Sequence, residues 1–233
     1  MESPIFRQLF DTESSTFTYL LGDAASGEAV LIDPVLERVD RDLALVEELG
    51  LRVKYVLDTH VHADHVTGAG EIRRRTRART GVAAAAKVPC VDLALKEGDT
   101  VDFGSFEIRV LETPGHTDGC LSFVCGNRVF TGDALTIRAA GRTDFQEGSA
   151  SRLYSSLTEK LFRLPDDTLV YPGHDYQGQT SSTIGEEKRF NRRIGGGKTL
   201  EEFVETMNGL NLPPPKKIET AVAANLKCGL KDG

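Results

Sequence analysis

The chain has no apolar run approaching the roughly 20 residues that a bilayer-spanning helix needs, so no membrane span is expected. Its first residues, Met1-Glu2-Ser3-Pro4, show no basic segment followed by an apolar one, and no export signal is expected either. Basic excess is missing: the formal net charge is -7, whereas general nucleic-acid binding favours a basic footprint. No repeat of about 20–50 residues recurs, as a solenoid would require. Paired C-x-x-C spacing is absent among the four cysteines, Cys90, Cys120, Cys125 and Cys228. Cys120 and Cys125 flank one short strand at an odd separation, so they should face opposite sides. The expectation is four free, buried thiols, no disulfide, and a reducing compartment. That points to the cytoplasm, although an organelle matrix satisfies the same physics.

What is present suits a soluble globular protein: 39% of the residues are apolar and 27% charged. A length of 233 residues fits one domain, here expected over 1–233 with a helical C-terminal extension from about 183. Strands are expected over 16–21 and 29–33, followed by an amphipathic helix over 39–49 stopped by Gly50. A strand at 53–58 precedes a helix over about 70–79 that carries Arg73, Arg74, Arg75, Arg77 and Arg79, a solvated face. Then come a short strand at 81–86, a hairpin of 99–103 and 106–111, and strands at 120–125 and 128–131. A helix over 151–164 places Leu153, Leu157, Leu161 and Leu164 on one side, and a strand at 168–171 follows. The tail is basic over 188–198, helical over 199–210 and broken by Pro213-Pro214-Pro215. Hairpins alternating with helices predict an α/β layered architecture.

Histidine is scarce, and three of the five fall within one stretch, Thr59-His60-Val61-His62-Ala63-Asp64-His65, directly after a predicted strand. Imidazole and carboxylate suit a divalent transition metal. The other two, His116 and His174, also follow predicted strands, each preceded by a glycine that permits a sharp turn or close approach. Asp133 stands in the same relation to the strand at 128–131. Ligands at strand ends are where a scaffold places function. Spacing alone allows one metal or two, the second at His62, Asp64, His65 and His174 with Asp133 bridging.

The series His60-His62-Asp64-His65, His116, Asp133, His174 resembles the metallo-β-lactamase superfamily, which implies an αββα sandwich with the metal at its edge. Within that superfamily three segments resemble the persulfide dioxygenases: Ile137 to Gln146, Tyr171 to Tyr176, and Ala224 to Gly229. This resemblance implies one ferrous ion held by His60, His116 and Asp133, a facial triad that leaves coordination positions open. His62, Asp64, His65 and His174 would then support those ligands through hydrogen bonds. The reaction implied is glutathione persulfide plus O2 and water giving sulfite and glutathione, without nucleic acid or membrane as partner. Matching positions implicate Tyr176 and Arg193 in gripping substrate, since guanidinium forks suit carboxylates, with Arg142 and Asp144 shaping the walls. A homodimer is the assembly often found among relatives. The competing reading is a glyoxalase II-like hydrolase of glutathione thioesters with two metals. A metal-binding scaffold without catalysis is a third, disfavoured by the full ligand set.

Overall fold

Residues 3–213 and 217–230 are described by the structure, a computed structural model. Two six-stranded sheets form its centre. The first contains, in spatial order, β1 (Ile5–Asp11), β2 (Thr16–Asp23), β3 (Glu28–Ile32), β4 (Arg52–Leu57), β5 (Arg79–Ala83) and β6 (Leu93–Leu95). The second contains β7 (Thr100–Phe103), β8 (Phe106–Glu112), β9 (Leu121–Cys125), β10 (Arg128–Gly132), β11 (Leu169–Pro172) and β12 (Ser182–Thr183). Helices α1 (Val39–Glu48) and α2 (Ala69–Thr76) cover one outer face. Helices α3 (Ala150–Ser155), α4 (Ile184–Phe190) and α5 (Leu200–Asn208) cover the other, and α6 (Ile218–Asn225) is the last helix of the described residues.

Strand period explains this layering. On β3, Val30 and Ile32 enter the core between the sheets, while Ala29 and Leu31 face α1 and α2. On β10, Phe130 faces the inter-sheet core and Val129 meets Leu153, Leu157 and Phe203 from the helices behind. Strands covered on both faces read as nearly continuous apolar runs, which is why β2 and β3 stand out in the sequence. Tyr19, Phe103, Phe123 and Phe130 are the largest side chains fully buried between the sheets. Truncating one of the phenylalanines to Ala should cost about 3–5 kcal/mol. The result is the expected αββα sandwich.

Several local expectations need correction. The helix expected over 151–164 runs as α3, a π turn over Ser156–Lys160 and a tighter turn over Leu161–Arg163. Leu153, Leu157 and Leu161 are fully buried, but Leu164 is already extended ahead of Pro165, which disfavours a helical predecessor. Arg77 ends α2 in the left-handed region (φ 64°), and Arg79 opens β5, so neither lies on the helix. The remaining arginines there pair with Glu71, Asp40 and Asp92. Helix α5 has ended by Asn208, before the prolines; Pro214 and Pro215 lie outside the described residues.

The cysteines divide. Cys120 and Cys125 are free and buried, and burial pushes their thiols up to about 12 and about 11. Cys90 and Cys228, against expectation, form a disulfide across 138 residues. Local spacing carries no signal for such a pair: the chain after α6 folds back onto the segment after β5, and only tertiary structure brings the two sulfurs together.

Candidate metal centre

All five histidines gather at one edge of the sandwich, in the loops that leave β4, β8 and β11, and Asp133 joins them from the loop after β10. His60 and His62 follow β4 with ring centroids 4.1 Å apart, and His60 meets His116, beyond β8, at 5.0 Å. Hydrogen bonds between loops fix this edge: Leu121 N–H donates to the Thr59 carbonyl at 2.7 Å, tying the two sheets together beside the histidines. Gly173 N–H donates to the Gly132 carbonyl at 2.8 Å, and Phe17 N–H to the Gly173 carbonyl at 2.8 Å. The two glycines before histidines meet real constraints. Gly115 has φ +138°, and a Cβ there would lie 2.3 Å from Leu153 N; a Cβ at Gly173 would lie 2.9 Å from Asp133 Oδ1.

His60, His116 and Asp133 offer ligand atoms that all lie within 4.8 Å of one another. His116 Nε2 is 3.7 Å from Asp133 Oδ2. His116 Nδ1 lies 2.7 Å from the Arg142 carbonyl oxygen, which can only accept; Nδ1 therefore bears a proton, leaving Nε2 as the nitrogen turned towards Asp133. His60 Nδ1 contacts the Thr59 hydroxyl at 3.0 Å, and burial together with the neighbouring His62 and His116 holds the ring well below the usual imidazole range, hence neutral. Burial alone would raise Asp133, but His174, His116 and His60 outweigh it and hold the carboxyl well below the ordinary range. Two imidazoles and an ionised carboxylate form a donor set suited to a divalent cation.

The other predicted residues surround this group. His174 bridges two carboxylates: Nδ1 donates to Asp133 Oδ1 at 2.7 Å and Nε2 to Asp64 Oδ2 at 2.9 Å. Those carboxylates offset the effect of burial and raise His174 well above the ordinary imidazole range. His65 Nδ1 also reaches Asp64 Oδ2, at 2.8 Å. His62 Nε2 lies 3.1 Å from Asp33 Oδ1, and although burial lowers this ring, Asp33, Asp64 and Asp58 push it up to about 9. His62, Asp64 and His65 form a second group of ligand atoms within 4.8 Å of one another. Two buried nitrogens, His62 Nδ1 and His65 Nε2, have no hydrogen-bond partner among the described residues, an arrangement that solvent, or a cation displacing the His62 proton, would relieve. The residues present thus fit a metal.

At the mouth, Tyr176 is 78% exposed and its ring lies parallel to that of His174 at 6.1 Å. Arg193 donates to the Ala140 carbonyl, and no carboxylate lies in ion-pair range of it among the described residues. Arg142 is engaged by both oxygens of Asp144, at 2.7 Å each, and by the carbonyls of Leu212 and Pro213. The Arg142 guanidinium is thus already engaged by protein acceptors.

Sequence reasoning missed three supporting residues. Thr16, at the start of β2, sets its hydroxyl 3.2 Å from Asp64 Oδ2, 3.3 Å from His65 Nδ1 and 3.1 Å from His174 Nε2. Asp33, in the left-handed region at φ 52°, accepts from Thr59 N–H and its hydroxyl at 2.7 and 2.8 Å. Asp58 accepts from the Thr67 hydroxyl at 2.9 Å, and burial pushes it up to about 7. Asp33 and Asp58 could have been suspected, since each is the last residue of a predicted strand at this edge. Thr16 carried no signal.

Residues 11–174 match the metallo-beta-lactamase superfamily profile. The chain is 50% identical to persulfide dioxygenase ETHE1, mitochondrial, of Homo sapiens, over 97% of this chain and 89% of that protein. The crystal structure of ETHE1 from Myxococcus xanthus superposes with a TM-score of 0.95 at 57% identity, covering 97% of this chain and 100% of the other. A hydroxyacylglutathione hydrolase of Cereibacter sphaeroides is 41% identical over 70% of this chain and 64% of its own length. The chain belongs to the metallo-beta-lactamase superfamily and, within it, to the persulfide dioxygenase family.

Proposed function

We propose that this protein oxidises glutathione persulfide with O2 and water to sulfite and glutathione, releasing protons, at a single ferrous ion. The observation that carries this reading is the near-full-length likeness to persulfide dioxygenases. The donor geometry supports it: His174 has a carboxylate on each ring nitrogen, so it holds Asp133 and Asp64 in place and has no lone pair to offer. His60, His116 and Asp133 would hold the ion. When bound, ferrous iron supplies the one-electron chemistry that ground-state dioxygen requires.

The remaining work falls to the chain. The Arg142 carbonyl fixes the His116 tautomer, and His174 keeps Asp133 ionised and oriented. Arg193, with no carboxylate partner among the described residues, would receive one from the glutathione moiety, and the exposed Tyr176 ring would wall the approach. His62, Asp64 and His65 hold the loop and its solvent.

One observation favours a second reading. The unpartnered His62 Nδ1 and His65 Nε2 suit a second cation, as in a binuclear hydrolase of glutathione thioesters. Metal analysis combined with oxygen uptake separates the two. About one iron per chain and oxygen consumption with glutathione persulfide are expected. Two zinc ions per chain, thioester cleavage and no oxygen uptake would overturn the dioxygenase reading. A homodimer, expected from relatives, is checked by light scattering on the same sample.

A further inference from the structure

The segment Ala224 to Gly229 contributes neither a proposed ligand nor a substrate contact, yet it reaches the histidine motif directly. Asn225, 5% exposed, donates from Nδ2 to the carbonyls of His62 and His65, both at 2.9 Å. Its Oδ1 accepts from Thr67 N–H at 2.8 Å. One side chain thus satisfies three backbone groups that bracket Asp64 and His65, and without it those groups would be left buried and unpaired. Asn225 and Cys228 also wall the same small cavity, about 10 Å³, as His60 and His62.

The anchorage of Asn225 is narrow. Helix α6 buries only Ala221 and Asn225, so little apolar surface holds it. Three residues beyond, Cys228 is fixed by the disulfide to Cys90, and its carbonyl accepts from Gly70 N–H at 3.0 Å. Gly229 lies so close to the Thr67 carbonyl that a Cβ would sit 2.1 Å from that oxygen. Cys90 is partly exposed, while Cys228 is buried at 3%.

We propose that Asn225 is a positioning residue for the metal centre and that the Cys90–Cys228 disulfide is a thiol-sensitive latch holding it there. The reagent class is a low-molecular-weight thiol, which the proposed reaction itself releases. A thiolate attacks the accessible Cys90 sulfur, the S–S bond breaks, and Cys228 leaves as a thiolate that takes up a proton. A second thiolate then displaces Cys90 from the mixed disulfide. The balance is two electrons and two protons to the protein, and one disulfide formed between the two reagent molecules. Opening the latch frees the turn after α6, loosens the grip of Asn225, and lets the loop from His62 to Thr67 move.

The inference rests on the reading of His60, His116 and Asp133 as metal ligands, so its test includes a measurement that does not. Full-length protein is compared oxidised, reduced with dithiothreitol, and as Cys90→Ser, Asn225→Asp and Asn225→Ala. Denatured, unreduced protein should show two titratable thiols; four would overturn the latch. Iron release to a chelator should be about 10-fold faster in reduced protein and in Cys90→Ser, with no further effect of dithiothreitol on the variant. Asn225→Asp, which keeps the acceptor but loses both donors, should release iron as fast as Asn225→Ala. Amide exchange from His62 to Thr67, measured on metal-free protein, should speed up in the same samples, with β4 and β10 unchanged. Equal release and exchange rates in oxidised, reduced and variant proteins would overturn the proposal. If exchange responds but no iron is bound, the latch stands and the ferrous reading fails.

Discussion

His116 donates its Nδ1–H to the Arg142 carbonyl across 2.7 Å, so a ring delivered by one strand end is oriented by the backbone of a loop from another. The loop can come this close only because Gly141 has no side chain. A Cβ there would stand 2.3 Å from the Asp133 carbonyl oxygen and 2.8 Å from the His116 ring. Gly141→Ala should therefore displace one or both proposed ligands. The expected result is iron occupancy reduced at least about 10-fold by metal analysis, with the fold retained by circular dichroism.

His174→Ala removes the bridge between Asp133 and Asp64. Such supporting partners change metal affinity by about 10–100-fold, so a chelator titration should show a loss in that range. Asp133→Ala removes a proposed ligand and should leave no stoichiometric iron. Full occupancy in Asp133→Ala would remove that residue from the ligand set.

Arg193→Ala should act on binding. A charge-assisted hydrogen bond of about 1.5–3 kcal/mol corresponds to a rise of roughly 10-fold or more in KM for glutathione persulfide, with kcat changed much less. An unchanged KM in steady-state kinetics would place the substrate carboxylates elsewhere.

Acid should weaken the protein at Asp11 in a defined window. Burial raises this carboxyl, but hydrogen bonds from Ser14 and Arg38 dominate and lower it to about 2. A carboxyl depressed below its unfolded value near 3.8 stabilises the fold fully above that value and loses its contribution as pH falls towards 2. Arg38 is 38% exposed, so solvent screening reduces the contribution to about 1 kcal/mol. Urea midpoints of wild type and Asp11→Asn should differ at pH 7 and draw together as pH falls from about 4 to about 2.

Much of the fold was legible because the central strands are buried on both faces and the helices on one. β3, β4 and β10 announce themselves as largely apolar runs, β8 by the alternation of Phe106, Ile108 and Val110, and α1 by its three- and four-residue spacing. Strands β1 and β6, the two-residue β12, and helices α4 and α6 did not: β1 has only one fully buried residue, and α6 only two. The histidines and Asp133 were legible because chemistry restricts which residues can bind a metal. Thr16 and Asn225 were not, since hydroxyl and amide side chains serve many purposes and these act through contacts 158 and 160 residues away in sequence. The Cys90–Cys228 pair failed for the same reason, distance along the chain.

His60 descends from the first sheet, whereas His116 and Asp133 descend from the second. An ion held by all three would act as a rivet between the layers, at the edge where backbone hydrogen bonds, Leu121 to Thr59 and Phe17 to Gly173, already join them. Metal occupancy then becomes a mechanical property of the sandwich: the loaded protein resists separation of its sheets from that edge, and the stripped protein opens there first.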